Sequence, residues 1–510
     1  MKRKTTIGAA FALLILVVVV GTVGAQYAGF SWTSVYQVVN MGDAPADITV
    51  SYFDGNGVQQ THQQVFTDVP SGSSRLVVQF TDDTALGSGL FSAVVAADQP
   101  VAAIANLQLV PDGATSYNPA PPFGTYSAEG QGSTSVILPA VMYNWYNYYT
   151  EVYIMNVGTG AASVDIEYIP GVVNGVATGT ALDDLDNAVP QYASLNISQQ
   201  AESGLGAPPG AYAGRFLGSA ILTSDQPIIA IVNQHNVNDS KLMTYNGFTD
   251  GGSLDVAAPV HMRGYYGYYS TLLVANPSTS AAAHVEITYT PDLSRPNVVS
   301  SGSIAPVTVP FTIDPQTSLT RHDGPTATDV QSDLDDTNVY TRFFGSVRVT
   351  SDIPVVVLAN QEALAATDAQ GGSYNGAAVS TGTAEVVIPV IMADYYGYYT
   401  TTVVQNMTGT DGVCDITYTS DGTYSSVKNL SETYHHELPG NGAFTIYEGR
   451  KGGVEDGDIN ADDQWIAGDG TRRFLGAATM TCDVDVVSFV NEEKDILLED
   501  SMYTYNAFNK

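Results

Sequence analysis

The chain has 510 residues, 52 of them acidic and 18 basic, so its formal net charge at pH 7 is −34. A field of this sign repels phosphate backbones and argues against nucleic acid as a partner. Charged residues make up only 14% of the chain, whereas Tyr alone contributes 31 residues and Gly 49. This composition is typical of strands joined by turns and predicts an all-β protein.

The N-terminus has the pattern of an export signal. Residues 2–4 are basic, residues 7–20 are uninterruptedly apolar, and the small residues Val23, Gly24 and Ala25 follow. The pattern predicts a signal peptide over residues 1–25 with cleavage after Ala25. The alternative is an uncleaved anchor, because residues 7–25 are just long enough to span a bilayer. Both interpretations predict a secreted, extracellular or cell-surface protein that contacts membrane only through this segment, if it is uncleaved.

The remaining chain consists of four copies of one pattern. Each copy has an aromatic strand that ends in Asn, a second strand of alternating apolar residues that ends near a Tyr, a Pro turn, and an apolar segment containing Asp. The strand-ending residues are Asn40, Asn156, Asn276 and Asn406, and the later aspartates are Asp98, Asp225, Asp352 and Asp483. We interpret each Asp segment as the turn of a β-hairpin. The predicted domains are residues 26–118, 136–249, 256–378 and 386–510.

Six or seven short strands per copy predict four tandem immunoglobulin-like β-sandwich domains. Short linkers predict a linear array with limited hinge freedom, capped by the first and fourth copies, which lack parts of the pattern. The pattern resembles tandem β-sandwich repeats of bacterial cell-surface proteins, most closely from Gly218-Ser219-Ala220 through Asp225-Gln226-Pro227 to Asn233-Gln234. This resemblance implies the fold and a location outside the cell, and it brings no catalytic residues with it.

Tyr-rich runs open the last three copies and are candidates for ligand binding, because aromatic faces with a polar edge suit sugar rings or protein partners. Strand alternation predicts that Trp145 and Tyr148 point to opposite faces. The alternative is that these rings fill the core and the domain junctions. The candidate residues are Trp145, Tyr148, Tyr149, Tyr268, Tyr269, Tyr398 and Tyr399.

A loop in the fourth copy has the ligand spacing of a calcium site. Asp458, Asn460, Asp462 and Asp469 occupy positions one, three, five and twelve of this loop. Asp463 stands where such loops have Gly, and a solvated turn is the alternative. Calcium is the one cofactor for which we identify candidate ligands.

Two cysteines, Cys414 and Cys482, lie in the fourth copy. Given export, they predict a disulfide, and two buried thiols are the alternative.

Enzyme signatures are absent from the sequence: it has no H-E-x-x-H, G-x-S-x-G or P-loop pattern. The first hypothesis is therefore a non-catalytic structural or adhesive protein of the S-layer, matrix or filament kind. Its partners would be other copies of itself or other cell-surface components. The alternative is a carbohydrate-binding protein that uses the Tyr-rich strands to bind polysaccharide.

Overall fold

The structure is a computed structural model. It describes residues 11–20, 29–116, 120–173, 176–201, 203–206, 212–238, 241–295, 298–299, 305–324, 334, 342–363, 370–421, 430–449, 457–462, 465, 473–494 and 502–510. The prediction of an all-β protein is confirmed, since the regular structure is mostly strand. The helical segments whose bounds fall among the described residues are single turns: α1 (Gln79–Asp82), α2 (Asp458–Ala461), and 3₁₀ turns at Thr84–Leu86, Gln199–Ala201, Ser203–Gly206 and Val379–Thr381. No helix among the described residues has the length and hydropathy needed to cross a membrane.

The strands form four similar sets, which we call units 1 to 4. Unit 1 has β1 (Phe11–Val20), β2 (Phe30–Asn40), β3 (Ala46–Phe53), β4 (Gln59–Val69), β5 (Ser74–Val78), β6 (Gly89–Ala97), β7 (Val101–Pro111) and β8 (Ala120–Ser127). Unit 2 has β9 (Ser133–Tyr143), β10 (Tyr148–Asn156), β11 (Ala162–Pro170), β12 (Val172–Val173), β13 (Val176–Ala177), β14 (Leu182–Val189), β15 (Ser194–Ser198), β16 (Phe216–Asn236) and β17 (Leu242–Asn246).

Units 3 and 4 repeat this order. Unit 3 has β18 (Ser253–Tyr265), β19 (Tyr268–Ala275), β20 (Ala283–Pro291), β21 (Val307–Ile313), β22 (Ser318–His322), β23 (Phe343–Ala363), β24 (Gly371–Asn375) and β25 (Ala377–Ala378). Unit 4 has β26 (Thr383–Ala393), β27 (Tyr398–Asn406), β28 (Gly412–Ser420), β29 (Ser431–Leu438), β30 (Ala443–Tyr447), β31 (Phe474–Lys494), β32 (Met502–Asn506) and β33 (Phe508–Asn509).

Each unit is a sandwich of two antiparallel layers. In unit 1 the strand orders are β1-β6-β3-β4 in the outer layer and β5-β2-β7-β8 in the inner layer. In unit 2 a single strand, β16, takes the places of β6 and β7, so its first half pairs with β9 and β11 and its second half with β10 and β17. β23 and β31 do the same in units 3 and 4.

The predicted hairpin at the repeated Asp is wrong in all four units. In a hairpin the segments before and after the Asp would pair with each other, and here they do not. In units 2 to 4 the segment is one strand of 21 residues. The Asp carboxylate accepts a hydrogen bond from the backbone of the neighbouring strand, as Asp225 does from the Ser163 amide at 2.8 Å. Asp98, Asp352 and Asp483 accept equivalent bonds from Asp47, His284 and Val413. The repeated carboxylate therefore holds two strands together.

The four units close into a ring. β8 lies beside β17, β17 beside β24, β24 beside β32, and β32 beside β8 again. Side-chain amides connect the same position of successive units: Asn246 Nδ2 donates to the Ser127 carbonyl, Asn375 Nδ2 to that of Asn246, and Asn506 Nδ2 to that of Asn375. The predicted linear array with capping ends is wrong, because unit 4 packs against unit 1.

Unit 1 extends further than the sequence indicated. β8 pairs with β7 and places Thr125 opposite Asn106, in the register that Thr244 and Asn233 have in unit 2. The boundary predicted at residue 118 is therefore too early. Residues 117 and 118, at the end of the first predicted domain, lie outside the described residues.

Each hydrophobic core includes side chains from the next unit in the ring. The core of unit 2 includes Leu273 and Leu358 of unit 3, and the core of unit 4 includes Ile104 and Phe123 of unit 1. The central inner-layer strands, such as the second half of β16, are consequently buried on both faces. This burial explains the continuous apolar run Ile228–Val232, which strand alternation alone would not predict.

The apolar N-terminal segment occupies a strand position in unit 1. β1 pairs antiparallel with β6, for example Ile15 opposite Ala93. In units 2, 3 and 4 the corresponding position is filled by β9, β18 and β26. Residues 1–10 and 21–28, which include the predicted cleavage site, lie outside the described residues, and the signal peptide stays a prediction.

A disulfide joins the outer-layer strands β28 and β31. Cys414 and Cys482 stand directly opposite each other in the register of these strands and are bonded. The bond closes a loop with a sequence separation of 68 residues.

Replacing both cysteines with Ala is expected to lower the free energy of unfolding of unit 4 by about 2–4 kcal/mol, because the unfolded chain regains loop entropy. Urea unfolding monitored by tryptophan fluorescence would measure the change, since Trp465, one of the three tryptophans, is buried in unit 4. Reduced wild-type protein is the control, and it should unfold at the same urea concentration as the variant without cysteines. A variant as stable as the oxidised wild type would contradict the prediction.

Candidate functional site

The Tyr-rich runs form tight hairpin turns that open onto the unit junctions. In unit 2, Trp145 and Tyr148 exchange backbone hydrogen bonds of 3.1 and 2.9 Å around Tyr146 and Asn147. Both central residues have positive φ, 50° and 71°. Tyr395 and Tyr398 form the same pair in unit 4. Positive φ at both positions is the signature of the turn that suits the twist of a two-residue hairpin.

The turn corrects the predicted side-chain alternation. Because Tyr146 and Asn147 reverse the chain, Trp145 and Tyr148 are both buried, where strand alternation placed them on opposite faces. The candidate residues Tyr268, Tyr398 and Tyr399 are buried as well, whereas Tyr149 and Tyr269 are half-buried. Several of these rings contact the next unit: the Tyr148 hydroxyl donates to Glu362 of unit 3 at 2.8 Å, and Tyr398 packs near Phe123 of unit 1.

The exposed aromatics are the residues at the turn tips, which the sequence analysis did not select. Tyr146, Tyr266 and Tyr396 are 43%, 68% and 72% exposed. All three have φ near 50°, a conformation that is uncommon for a non-glycine residue. Each ring stands edge-on to the preceding aromatic, and Arg215 lies 4.8 Å above the Tyr146 ring. The Tyr-Asn and Tyr-Gly pairs in the sequence are the signal from which these turns could have been recognised.

A pocket of about 310 Å³ lies beneath one of these turns, at the junction of units 3 and 4. Its aromatic wall is formed by Tyr265, Tyr266, Tyr268, Phe344 and Tyr447. Arg295, Asn491 and Glu493 supply polar groups, and Val260, Met262 and Val403 supply aliphatic ones. Burial raises the pKa of the Tyr265 hydroxyl, and the nearby Arg295 guanidinium opposes that shift. The lining therefore combines stacking surfaces with a cation, a carboxylate and an amide.

The equivalent junction of units 2 and 3 is filled by larger side chains. Leu273 lies three residues before the strand-ending Asn, where unit 4 has Val403, and packs in the core of unit 2. The carboxylate of Glu362 binds the Tyr148 hydroxyl and lies 3.6 Å from Lys241 Nζ. At the junction of units 3 and 4 the position of Lys241 is held by the neutral Gln370, which accepts a hydrogen bond from Tyr268.

The junction of units 4 and 1 is filled differently. Gln37 occupies the position of Val403 and donates from Nε2 to the Pro389 carbonyl at 2.7 Å. Phe123 packs against Tyr503, with ring centroids 4.9 Å apart, and the Tyr503 hydroxyl donates to Gln108. The junction beneath the Tyr266 turn thus differs from both sister junctions at the position of Val403, where they have Leu273 and Gln37. It differs from the junction of units 2 and 3 also at Gln370, where that junction has Lys241.

A second cavity, of about 500 Å³, lies at the centre of the ring. Equivalent residues of all four units line it, among them Ser127, Asn246, Asn375 and Asn506. Glu129 faces this cavity, and burial raises its pKa to about 7, although its hydrogen bond from Asn246 opposes the shift. The side-chain amides at this axis donate to backbone carbonyls of the neighbouring unit, so they stabilise the ring.

The predicted calcium ligands have partners within the fold where the structure describes them. Asp458 accepts hydrogen bonds from the Tyr418 hydroxyl at 2.9 Å and from His436 at 3.0 Å, and Asp462 accepts one from Tyr434. Asn460 lies in α2. Asp469 lies outside the described residues, and the calcium site stays a prediction. Among the described residues no group of three or more potential ligands is arranged to hold a metal ion.

A buried His–Asp pair in unit 3 has the residue types of a catalytic pair. His261 Nε2 lies 2.6 Å from Asp323 Oδ2, and both side chains are fully buried. In unit 2 the position of Asp323 is held by Gln199, whose amide donates to the Tyr168 hydroxyl at 2.8 Å. The pair therefore occupies a polar core position that recurs between units.

No family model and no curated protein matches this chain. A solved structure titled "Crystal Structure of Thermotoga maritima 1070" is similar over 25% of this chain and 95% of its own length, with 18% identity and a TM-score of 0.18. A likeness at this TM-score supports no conclusion about fold or function.

Proposed function

We propose that this chain is a non-catalytic structural or adhesive protein of the cell exterior, exported by its N-terminal segment and built from four immunoglobulin-like units. The observation that carries the proposal is the ring itself: most of the aromatic side chains that the sequence offered for binding are buried, several of them at unit junctions. Closure of the ring gives a rigid body with the same kind of outer strand repeated around it.

The outer strands are the surfaces through which copies would associate. β4, β14, β21 and β29 each stand at the end of their layer, paired on one side. An edge strand of this kind presents unpaired backbone groups to a strand from another chain. β4 is the longest of the four and carries Gln, Thr and Val at alternating exposed positions.

Export adds a further open edge. Cleavage after Ala25 removes β1 and uncovers the edge of β6 in unit 1. A strand from a second copy can then take the place of β1, which is the mode of recognition called β-strand addition.

Light scattering coupled to size-exclusion chromatography tests the proposal. The chain beginning at Gln26 is expected to form assemblies, and the full-length chain, which keeps β1, is expected to assemble less. Each sample is run with and without calcium, because the predicted loop site would make assembly depend on the ion. If both chains elute as monomers in both conditions, the structural proposal fails.

Carbohydrate binding is the second candidate function. It is favoured by the exposed tyrosines at the turn tips and by the pocket beneath Tyr266. Polysaccharide is the partner class, because a pyranose ring presents an apolar face that stacks on a Tyr ring while its hydroxyl groups bond to polar side chains.

A further inference from the structure

We propose that the pocket at the junction of units 3 and 4 binds a single pyranose unit of a polysaccharide, and that it is the one such site among the three Tyr-turn junctions. The inference deepens carbohydrate binding, the second candidate function, and rests on it. It assigns that function to the lining residues Tyr266, Arg295 and Glu493, which the sequence analysis did not select.

The shape of the pocket fits a ring of this size. Ligand pockets in proteins begin at about 300 Å³, and the present pocket has about 310 Å³. Tyr266 is 68% exposed and stands at the rim, so its face is accessible to an incoming ring. Tyr265 and Phe344 lie deeper, with ring centroids 4.6 Å apart. A sugar entering here has aromatic surface on its apolar face.

The polar groups fit hydroxyl recognition. Glu493 is an acceptor in its ionised form and Arg295 is a donor. A sugar hydroxyl donates and accepts, so these two groups together can bind neighbouring hydroxyl groups. In unit 3 the counterpart of Glu493 is Glu362, which accepts a hydrogen bond from the Tyr148 hydroxyl and lies 3.6 Å from Lys241 Nζ. The replacement of Lys241 by Gln370 removes that cation from the neighbourhood of Glu493.

The backbone of the Tyr266 turn supports the same conclusion. Tyr266 is held at φ 47°, and Gly267, which follows it, is at φ 86°. This turn geometry places the Tyr266 ring at the rim of the pocket. The same geometry exposes Tyr146 and Tyr396, but at the position of Val403 the junctions beneath them have Leu273 and Gln37.

A glycan array with the full-length chain tests the proposal, using immobilised oligosaccharides of glucose, galactose, N-acetylglucosamine and glucuronic acid. Three pocket variants are Tyr266→Ala, Glu493→Gln and Val403→Leu, the last of which introduces the side chain that fills the sister junction. Each is expected to weaken binding by at least about tenfold. Tyr396→Ala is the matched control, because it removes an equivalent ring over a filled junction, and it should bind as the wild type does. A comparison of binding to the glucose and glucuronic acid oligosaccharides shows whether Arg295 selects a carboxylate.

Circular dichroism and thermal unfolding establish that the variants fold, and Val403→Leu is expected to melt no lower than the wild type because it fills space. If Tyr266→Ala and Tyr396→Ala lose glycan binding equally, binding belongs to the exposed turn-tip rings and the pocket proposal is overturned. Binding that survives Val403→Leu and Glu493→Gln would overturn it too. A wild-type chain that binds no glycan would reject the carbohydrate function itself, whereas the structural proposal is decided separately by light scattering.

Discussion

Replacing Asn276 with Ala is expected to lower the free energy of unfolding by about 2–4 kcal/mol, because the Ile313 carbonyl loses its partner in a buried place and two part-buried backbone groups lose theirs. Asn276 Nδ2 donates to the carbonyls of Ala281, at 2.9 Å, and Ile313, at 3.0 Å. Its Oδ1 accepts from the amide of Ser278 at 3.0 Å. Each backbone group left buried without a partner costs about 1–3 kcal/mol.

The measurement is urea unfolding of the full-length chain together with hydrogen exchange of peptides from β19 and β21. Asn276→Asp should be at least as damaging as the Ala variant, since a carboxylate keeps the shape but cannot donate to the two carbonyls. Thr279→Ala, at an exposed position in the same turn, is the control and should change stability by less than about 0.5 kcal/mol. A loss below about 1 kcal/mol for Asn276→Ala would contradict this account of the turn.

The same amide network explains why the repeats were recognisable. Asn40, Asn156 and Asn406 are buried at the same point of their units and bind the following turn in the same way. A residue that satisfies several backbone groups at once cannot be exchanged without cost, so the pattern keeps it while surrounding positions vary. The sequence revealed the positions of these asparagines, and only the structure showed which groups they bind.

Local pattern also predicted the half-buried strands. β11 carries Val164, Ile166 and Tyr168 inward, as their period of two indicated. The long strand β16 was missed because Asp225-Gln226-Pro227 is turn-like in composition, and here the Asp carboxylate bonds to the next strand while the chain stays extended. Whether such a segment turns or continues depends on the partner of its carboxylate, which is more than 60 residues away in sequence.

The closure of the four units into a ring could not be predicted from local sequence pattern. The contact between units 4 and 1 joins Gln37 to the Pro389 carbonyl, and Lys510 to Asp43, across hundreds of residues. Continuous apolar runs such as Ile228–Val232 indicate burial on two faces but do not name the second partner. The candidate site was missed for a related reason, since the pocket depends on Val403 being smaller than Leu273, a difference that matters only once the two junctions are compared.

Glu492 is expected to make the ring less stable as pH rises. Its counterparts in units 2 and 3 are glutamines: Gln234 bonds with Asn360, and Gln361 accepts from Asn491. Glu492 faces Asn106 of unit 1 in the same way but carries a carboxyl group. Burial raises its pKa to about 8, while the neighbouring Tyr505 and Asn106 side chains favour the charged form and oppose the shift.

The direction of the effect follows from proton binding. An ordinary Glu in the unfolded chain loses its proton near pH 4.5, whereas the folded chain keeps this proton until about pH 8. Between those values the folded state binds one proton more, so each rise of one pH unit favours unfolding by about 1.4 kcal/mol. The destabilisation is absent below about pH 4.5 and complete above about pH 8.

Glu492→Gln restores the residue found in units 2 and 3 and removes this dependence. The variant should match the wild type near pH 4.5 and exceed it by about 3 kcal/mol at pH 7 and 4–5 kcal/mol at pH 9. Urea unfolding at the three pH values measures the difference, and other raised groups such as Glu129 cancel because both proteins contain them. Glu437→Gln, which removes an exposed carboxyl group, should leave the difference small at every pH. A Glu492→Gln advantage that is the same at pH 4.5 and pH 9 would mean that the carboxyl group is ionised within the ring, and that the junction of units 4 and 1 admits water.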